Sequence, residues 1–517
     1  MTAPESMPKG FDWLRLALAV AFVVGASLLV WLQFGKVSLT LVVAAAFGAY
    51  MAMNIGANDV ANNVGPAVGA RAISMGLAIG IAAVFEALGA IIAGGEVVGT
   101  IKSDIIDPSR VGDSDVFVWL MMAALLAGAL WLNLATAIGA PVSTTHSIVG
   151  GVLGAGIAAA GWDIANWATM GQIAASWVVS PVLGGLIAAG LLYVIKRRIT
   201  YQADLVAASR RMVPLLLALM AWAFASYLLL KGLSKLVKVS FPMALAIGAA
   251  VALLTWFGVR HWIDRRSEQL NSDRESVNRL FTVPLMAAAA LLSFAHGSND
   301  VANAIGPLAA VYDSLIHHGI STKASVPLWI MLLGALGLSV GLALYGPRLI
   351  RTVGSEITEI DPMRAYCIAM SATLTVIIAS QLGLPISTTH VAIGGVFGVG
   401  FLREYLKANY QRVIHDIEAH HQAQETEKHE VEAFFARFEA ASRAEKSEMI
   451  RALKAQTKAG LTPISKAERK SLRKVHRQAL VKRSIMLKVV AAWIITVPAS
   501  ALMAAALYYM IRGALIA

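Results

Sequence analysis

Cysteine is almost missing from this chain. Cys367 stands alone among 517 residues, which excludes an intramolecular disulfide framework and any multi-Cys metal site. Charge is scarce as well, at 14% of the residues, where a soluble globular protein sits near a quarter. Apolar side chains fill the shortfall at 57%, an excess that needs a solvent other than water. No Asn-x-Ser/Thr acceptor occurs, in keeping with a prokaryotic chain. A small-residue cleavage pattern is also missing after the apolar run that follows Lys9 and Arg15 and ends near Trp31. That run reads as a retained span, not a signal peptide.

What is present points to a membrane. Apolar runs able to cross about 30 Å of hydrocarbon lie near 13–35, 38–56, 74–97, 116–138, 141–160, 170–195, 212–232, 241–263, 283–310, 326–346, 364–383, 384–402 and 486–515. The 43 glycines are spread through these runs, which suits close helix packing in lipid. The net charge of +12 gathers in a few loops, the pattern of a cytoplasmic membrane face and not of a nucleic-acid binder. Loops with Lys196, Arg197, Arg198, Arg210 and Arg211, and with Arg265, Arg266, Arg274 and Arg279, are expected inside; the 98–115 loop, with Asp104, Asp107, Asp113 and Asp115, is expected outside. Alternation from an inside N-terminus satisfies each of these, and the loop of Lys231, Lys235 and Lys238 dissents.

The segment 403–485 breaks the apolar pattern with eighteen Lys/Arg against eleven Asp/Glu. Phe434, Phe435 and Phe438 recur at helical spacing, and Ser465 with Glu468 forms a capping-box pattern. A cytoplasmic helical insert is expected there. The expected organisation is an additional span at 1–37, a first repeat at 38–200, a connecting span at 201–240, a second repeat at 241–402, the insert at 403–485, and a last helix at 486–517.

Repetition is the most informative feature. Gly56-Ala-Asn-Asp-Val-Ala-Asn-Asn-Val-Gly-Pro66 returns as Gly297-Ser-Asn-Asp-Val-Ala-Asn-Ala-Ile-Gly-Pro307. Pro141-Val-Ser-Thr-Thr-His-Ser-Ile-Val-Gly-Gly151 returns as Pro385-Ile-Ser-Thr-Thr-His-Val-Ala-Ile-Gly-Gly395, in the same order. The loop charges put Asn58 in a run entered from outside and Asn299 in one entered from the cytoplasm. The predicted fold is therefore all-α: a polytopic bundle of two inverted repeats with broken or re-entrant helices, the layout of secondary transporters with a midplane site.

A carboxylate in hydrocarbon needs partners, so Asp59 and Asp300 are candidate cation ligands. Asn62 and Asn303 lie three residues on, on the same helical face. Their hard oxygens suit Na⁺ or a protonatable site, and the flanking Gly56, Gly65, Pro66, Gly297, Gly306 and Pro307 are expected to interrupt the helices. Ser143, Thr144 and Thr145, with Ser387, Thr388 and Thr389, follow a proline and precede a Gly-rich helix. That reads as two helix N-termini wrapping a tetrahedral oxyanion. No Lys or Arg lies in the motifs, so a cotransported cation is the expected neutraliser; divalent phosphate with two Na⁺ would cross neutral. His146 and His390 read as packed histidines or as a proton relay. Glu86 has no acidic counterpart in the second half and reads as an unpaired functional acid. A serine hydrolase is disfavoured, because Ser143 and His146 are a symmetric duplicate without a Gly-x-Ser-x-Gly elbow.

The doubled motifs resemble the signatures of the PiT family of inorganic phosphate transporters: Gly-Ala-Asn-Asp-Val-Ala-Asn at 56–62 and, with Ser298 for Ala, at 297–303, and Pro-x-Ser-x-Thr-His at 141–146 and 385–390. The likeness covers about 38–402 and the last helix. It implies a non-enzymatic secondary transporter without cofactors, cotransporting phosphate with Na⁺ or H⁺. By the same likeness Asn58, Asn299 and the Ser/Thr residues contact phosphate, Asp59 and Asp300 bind Na⁺, and Glu86 is a transport residue. A proton-coupled phosphate or metal-phosphate carrier and a sulfate permease stay open, as does a homodimer. Location in the inner cell membrane, among lipid and away from nucleic acid, is expected. The span at 13–35 and the placement of the insert just before the last helix depart from the family pattern.

Overall fold

The computed structural model describes residues 12–34, 38–95, 97–202, 204–233, 238–268, 270, 272–317, 319, 326–355, 360–406, 417–421, 425–441, 443–459, 461–477 and 483–516. Lys9 and Lys235 lie outside the described residues. Two compact units are present: Met1–Val399 with Arg483–Ala517, and Gly400–Lys482.

In the first unit the α-helices are α1 (Asp12–Phe34), α2 (Leu39–Asn58), α3 (Val60–Gly69), α4 (Met75–Ala93), α5 (Ser114–Ile138), α6 (Thr144–Ala160), α7 (Trp167–Ile195), α8 (Leu205–Tyr227), α9 (Phe241–Ser267), α10 (Arg274–Leu280), α11 (Thr282–Asp300), α12 (Ala302–His317), α13 (Leu328–Ser355), α14 (Pro362–Gln381) and α15 (Thr388–Leu406), with α19 (Arg483–Ile516) closing the chain. Each of the thirteen predicted runs coincides with a helix. Eleven helical segments are long and apolar enough to span a bilayer; Thr144–Ala160 is shorter, and α15 is not among the eleven. The chain is thus a multi-pass membrane protein. α1 and α9 turn large apolar side chains outward, among them Trp13, Leu29, Leu254 and Phe257, as lipid-facing helices do.

Two runs extend beyond their predicted ends. The spanning segments Leu39–Gly69 and Glu275–His317 carry the polar motif onward inside the bundle, where Asn58, Asn62, Asn63 and Asn303 are all at most 1% exposed. Polar residues lowered the hydropathy there, yet the side-chain amide nitrogen of each finds an acceptor within the protein. The helix ladder is interrupted at Asp59 and at Val301, not at the glycines or prolines, and both residues keep right-handed helical backbone angles. Pro66 and Pro307 sit inside α3 and α12. Each lacks the N–H that would pair with the Asn62 or Asn303 carbonyl.

Gly56 and Gly297 serve contact instead of bending. A Cβ on Gly56 would collide with the Leu338 carbonyl, and one on Gly297 with the Glu86 carbonyl. These contacts seat α2 on α13 and α11 on α4, so each motif helix packs on a helix of the opposite half. Helix α19 packs along α5 and α6.

The second unit contains α16 (Glu425–Ala440), α17 (Arg443–Ala459) and α18 (Lys466–Arg477). Its small core holds Ile417, Val431, Phe435, Phe438, Ile450, Leu453, Ile464 and Leu472, with Phe434 packed against it. The capping box forms as expected: Glu468 N donates to Ser465 Oγ at 3.2 Å, and Ser465 N to Glu468 Oε2 at 2.8 Å.

Candidate transport site

The junctions of α2 with α3 and of α11 with α12 meet the N-termini of α6 and α15. Asp59 stands at the centre, buried with Asp300. Its Oδ2 accepts from Thr144 Oγ1 at 2.7 Å, with Thr144 N at 3.4 Å, and its Oδ1 accepts from Thr389 Oγ1 at 2.8 Å. Asp300 Oδ2 accepts from Thr388 Oγ1 at 2.8 Å, and its Oδ1 has no hydrogen-bond partner. Asn62 donates to Thr389 Oγ1 at 2.8 Å, and Asn303 to Thr144 Oγ1 and Thr145 Oγ1 at 3.1 and 3.2 Å. Motif residues from one half are thus held by hydroxyls from the other. Charge-assisted bonds of this length are strong in a dry interior.

The matching asparagines do something else. Asn58 donates to Thr136 Oγ1 and the Ala140 carbonyl and accepts from Val142 N, while Asn299 donates to Ser380 Oγ and the Leu384 carbonyl. Both amides pin the loop ahead of a hydroxyl-bearing helix. The two donated bonds repeat at matching positions between the halves, while the bond from Val142 N to Asn58 Oδ1 has no counterpart at Asn299 Oδ1.

The helix starts lie at the hydroxyl residues, with the first proline outside the helix. Pro141 lies two residues ahead of the cap, not in the first turn, because Ser143 is the N-cap and accepts from His146 N at 3.1 Å. Ser387 does the same for His390 N at 3.2 Å. Thr145 donates to the Ile386 carbonyl at 3.0 Å. The hydroxyls predicted to wrap an oxyanion therefore engage carboxylates, caps and a carbonyl here, and the N-terminus of α6 faces a built-in anion, Asp59, as its dipole favours.

Glu86 is not unpaired. Asn63 Nδ2 donates to its Oε1 at 2.7 Å, and His296 Nδ1 lies 2.7 Å from its Oε2. His296 Nε2 lies 3.0 Å from Asp300 Oδ2, so one imidazole bridges two acids, all fully buried. The glycine contacts show what replaces this group in the other half: Leu338 occupies the place of Glu86 and Ile55 that of His296. Ala304 stands where Asn63 does in the motif. The polar cluster therefore belongs to one half only. His146 and His390 meet each other, ring centroids 4.4 Å apart, between Trp177 at 3.8 Å and Trp493 at 3.6 Å. Sequence reasoning overlooked His296 and Asn63. The signal available for His296 was its four-residue spacing from Asp300, which puts both on one helical face.

Membrane-length helices interrupted at or beside paired acids, with each half supplying hydroxyls to the other's motif, define a polytopic membrane transporter. The model of the phosphate transporter family matches residues 55–504. The chain belongs to that family, whose members are transporters and permeases, not enzymes. A Helicobacter pylori protein named as a phosphate permease is 54% identical over 508 residues, covering 96% of this chain and 95% of its own. One from Chlamydia trachomatis, named likewise, is 44% identical over 392 residues, or 72% of this chain and 91% of its own. A solved structure titled the sodium-dependent phosphate transporter superposes with a TM-score of 0.74 at 30% identity, covering 92% of this chain and 99% of the other.

Proposed function

We propose that this phosphate transporter is a symporter driven by a cation, Na⁺ by preference, working by alternating access between two inverted repeats. The observation that carries this reading is the convergence of Asp59, Asp300 and His296, whose ligand atoms lie within 4.8 Å of one another, beside the hydroxyls of Thr144, Thr388 and Thr389. Two carboxylates this close repel each other in a dry interior. A small hard cation relieves that repulsion and finds oxygen ligands.

Cation binding at Asp59 and Asp300 would draw the carboxylates away from their threonines. The freed hydroxyls, with Asn58, Asn299, Ser143 and Ser387 and the α6 and α15 N-termini, would then donate to phosphate. In this scheme the oxyanion site exists only after the cation has arrived, which couples the two fluxes. The sodium-dependent structural relative supports Na⁺. The loop charges support inversion, an inner-membrane location and a cytoplasmic 403–485 segment.

Proton coupling is the second reading, favoured by His296 bridging Glu86 and Asp300. Labelled phosphate uptake into proteoliposomes, with Na⁺ and pH gradients imposed separately, tests both. Accumulation driven by Na⁺ alone is expected. Accumulation driven only by a pH gradient would replace Na⁺ by H⁺, and phosphate-independent current would overturn symport.

A further inference from the structure

We propose that the 400–482 unit carries a binding site for a divalent transition-metal ion, Zn²⁺ by preference, formed by His420, His421 and Glu468. Neighbouring side chains on a helix do not ordinarily face the same way. Here the two imidazoles are stacked, centroids 5.1 Å apart at 22°, and both approach one carboxylate at the start of α18. His420 Nδ1 lies 2.9 Å from Glu468 Oε1, and His421 Nε2 lies 3.3 Å from the same oxygen. One ligand atom from each of the three residues falls within a 4.8 Å sphere of mutual distances.

These separations match a tetrahedral metal. Zn–N and Zn–O bonds of about 2.0–2.2 Å place neighbouring ligands roughly 3.3–3.5 Å apart, so small side-chain rotations would admit the ion. The carboxylate divides its work between its oxygens. Oε2 accepts from Ser465 N in the capping box and lies 3.4 Å from His421 Nε2, while Oε1 faces both imidazoles. His420 is 73% exposed, leaving the fourth position open to water. Two imidazoles and one carboxylate suit Zn²⁺, Co²⁺, Ni²⁺ or Cu²⁺, and are a poor set for Mg²⁺ or Ca²⁺. A bound ion would cross-link the 417–421 segment to the first turn of α18 and stabilise the unit by linkage. None of the transport-site residues takes part.

The test uses the purified full-length chain in detergent, stripped of metal and titrated with Zn²⁺ alone by calorimetry, with Co²⁺ absorption reporting geometry. One saturable site is expected per chain, with affinity at least tenfold weaker in His420→Ala and in Glu468→Gln, and with slower proteolysis inside 400–482 when Zn²⁺ is present. His420 is exposed, so its replacement leaves the fold intact. No saturable binding, or an affinity unchanged in His420→Ala, would reduce the cluster to a set of ion pairs and overturn the proposal.

Discussion

Thr389 of the second half donates its hydroxyl to the Asp59 carboxylate of the first, at 2.8 Å. No local sequence pattern connects these residues, which are 330 positions apart. The bond joins the two motifs through the acid assigned to cation binding.

Removing that charge is expected to stop transport without unfolding the protein. In Asp59→Asn and Asp300→Asn, phosphate uptake should fall at least roughly a hundredfold, equivalent to about 2.7 kcal/mol. Size-exclusion profiles should stay monodisperse, since the amide oxygen still accepts one threonine hydroxyl and the amide N–H can donate to the oxygen of another. Thr389→Ser should keep most uptake. Normal uptake in either Asn variant would remove these acids from the coupling site.

The Glu86–His296–Asp300 group gives a prediction about stability. His296→Ala leaves buried acids without their imidazole and should cost about 3–5 kcal/mol, read as a lowered thermal midpoint. Copying the opposite half by Glu86→Leu, His296→Ile and Asn63→Ala together should recover most of that loss, because the apolar solution already packs around Ile55 and Leu338. Uptake should stay low. A triple variant less stable than His296→Ala would show that the halves are not interchangeable here.

Gly297→Ala and Gly56→Ala should each destabilise by about 1–3 kcal/mol, the ordinary cost of overpacking, because the clash is with backbone oxygen that cannot turn aside. Gly76, with open space around it, is the control: Gly76→Ala should leave the midpoint unchanged.

Asp204 provides a titration away from the spans. The Ala207 N–H, followed by Ser272 and the Val206 N–H, holds its carboxyl below the usual 3.8. The folded value is depressed, so the cap contributes fully above pH 3.8 and is lost as pH falls beneath it. The difference in thermal midpoint between wild type and Asp204→Ala should be constant from pH 5 to 7 and shrink on acidification. A difference that grew on acidification would contradict the assigned cap.

Topology is testable because the one native thiol, Cys367, is buried. In a Cys367→Ala background, Asp113→Cys should react with an impermeant maleimide on intact cells. Arg437→Cys should react only after permeabilisation. Labelling of both from outside would refute the charge-derived orientation.

Much of this was legible in the sequence, for specific reasons. Every spanning helix announced itself as an apolar run, and the two doubled motifs located the paired acids, because duplication leaves identical residues in register. The helix break was placed on glycine and proline, but Gly56 is spent on its contact with Leu338 and Pro66 rests within α3. The partner of Glu86 was out of reach, since His296 comes from a helix 210 residues further on. What a sequence shows poorly is which helices exchange neighbours across the whole fold.

That exchange has a consequence for the chain's origin and its engineering. Because α2 rests on α13 and α11 on α4, as well as on α5 and α14 of their own halves, a half-length polypeptide would leave one face of its motif helix uncovered. A single-copy ancestor would have covered that face by pairing with a second copy of itself. By the same reasoning, a chain severed near residue 238 should yield fragments that are inert when expressed separately and that rebuild a working carrier when expressed together.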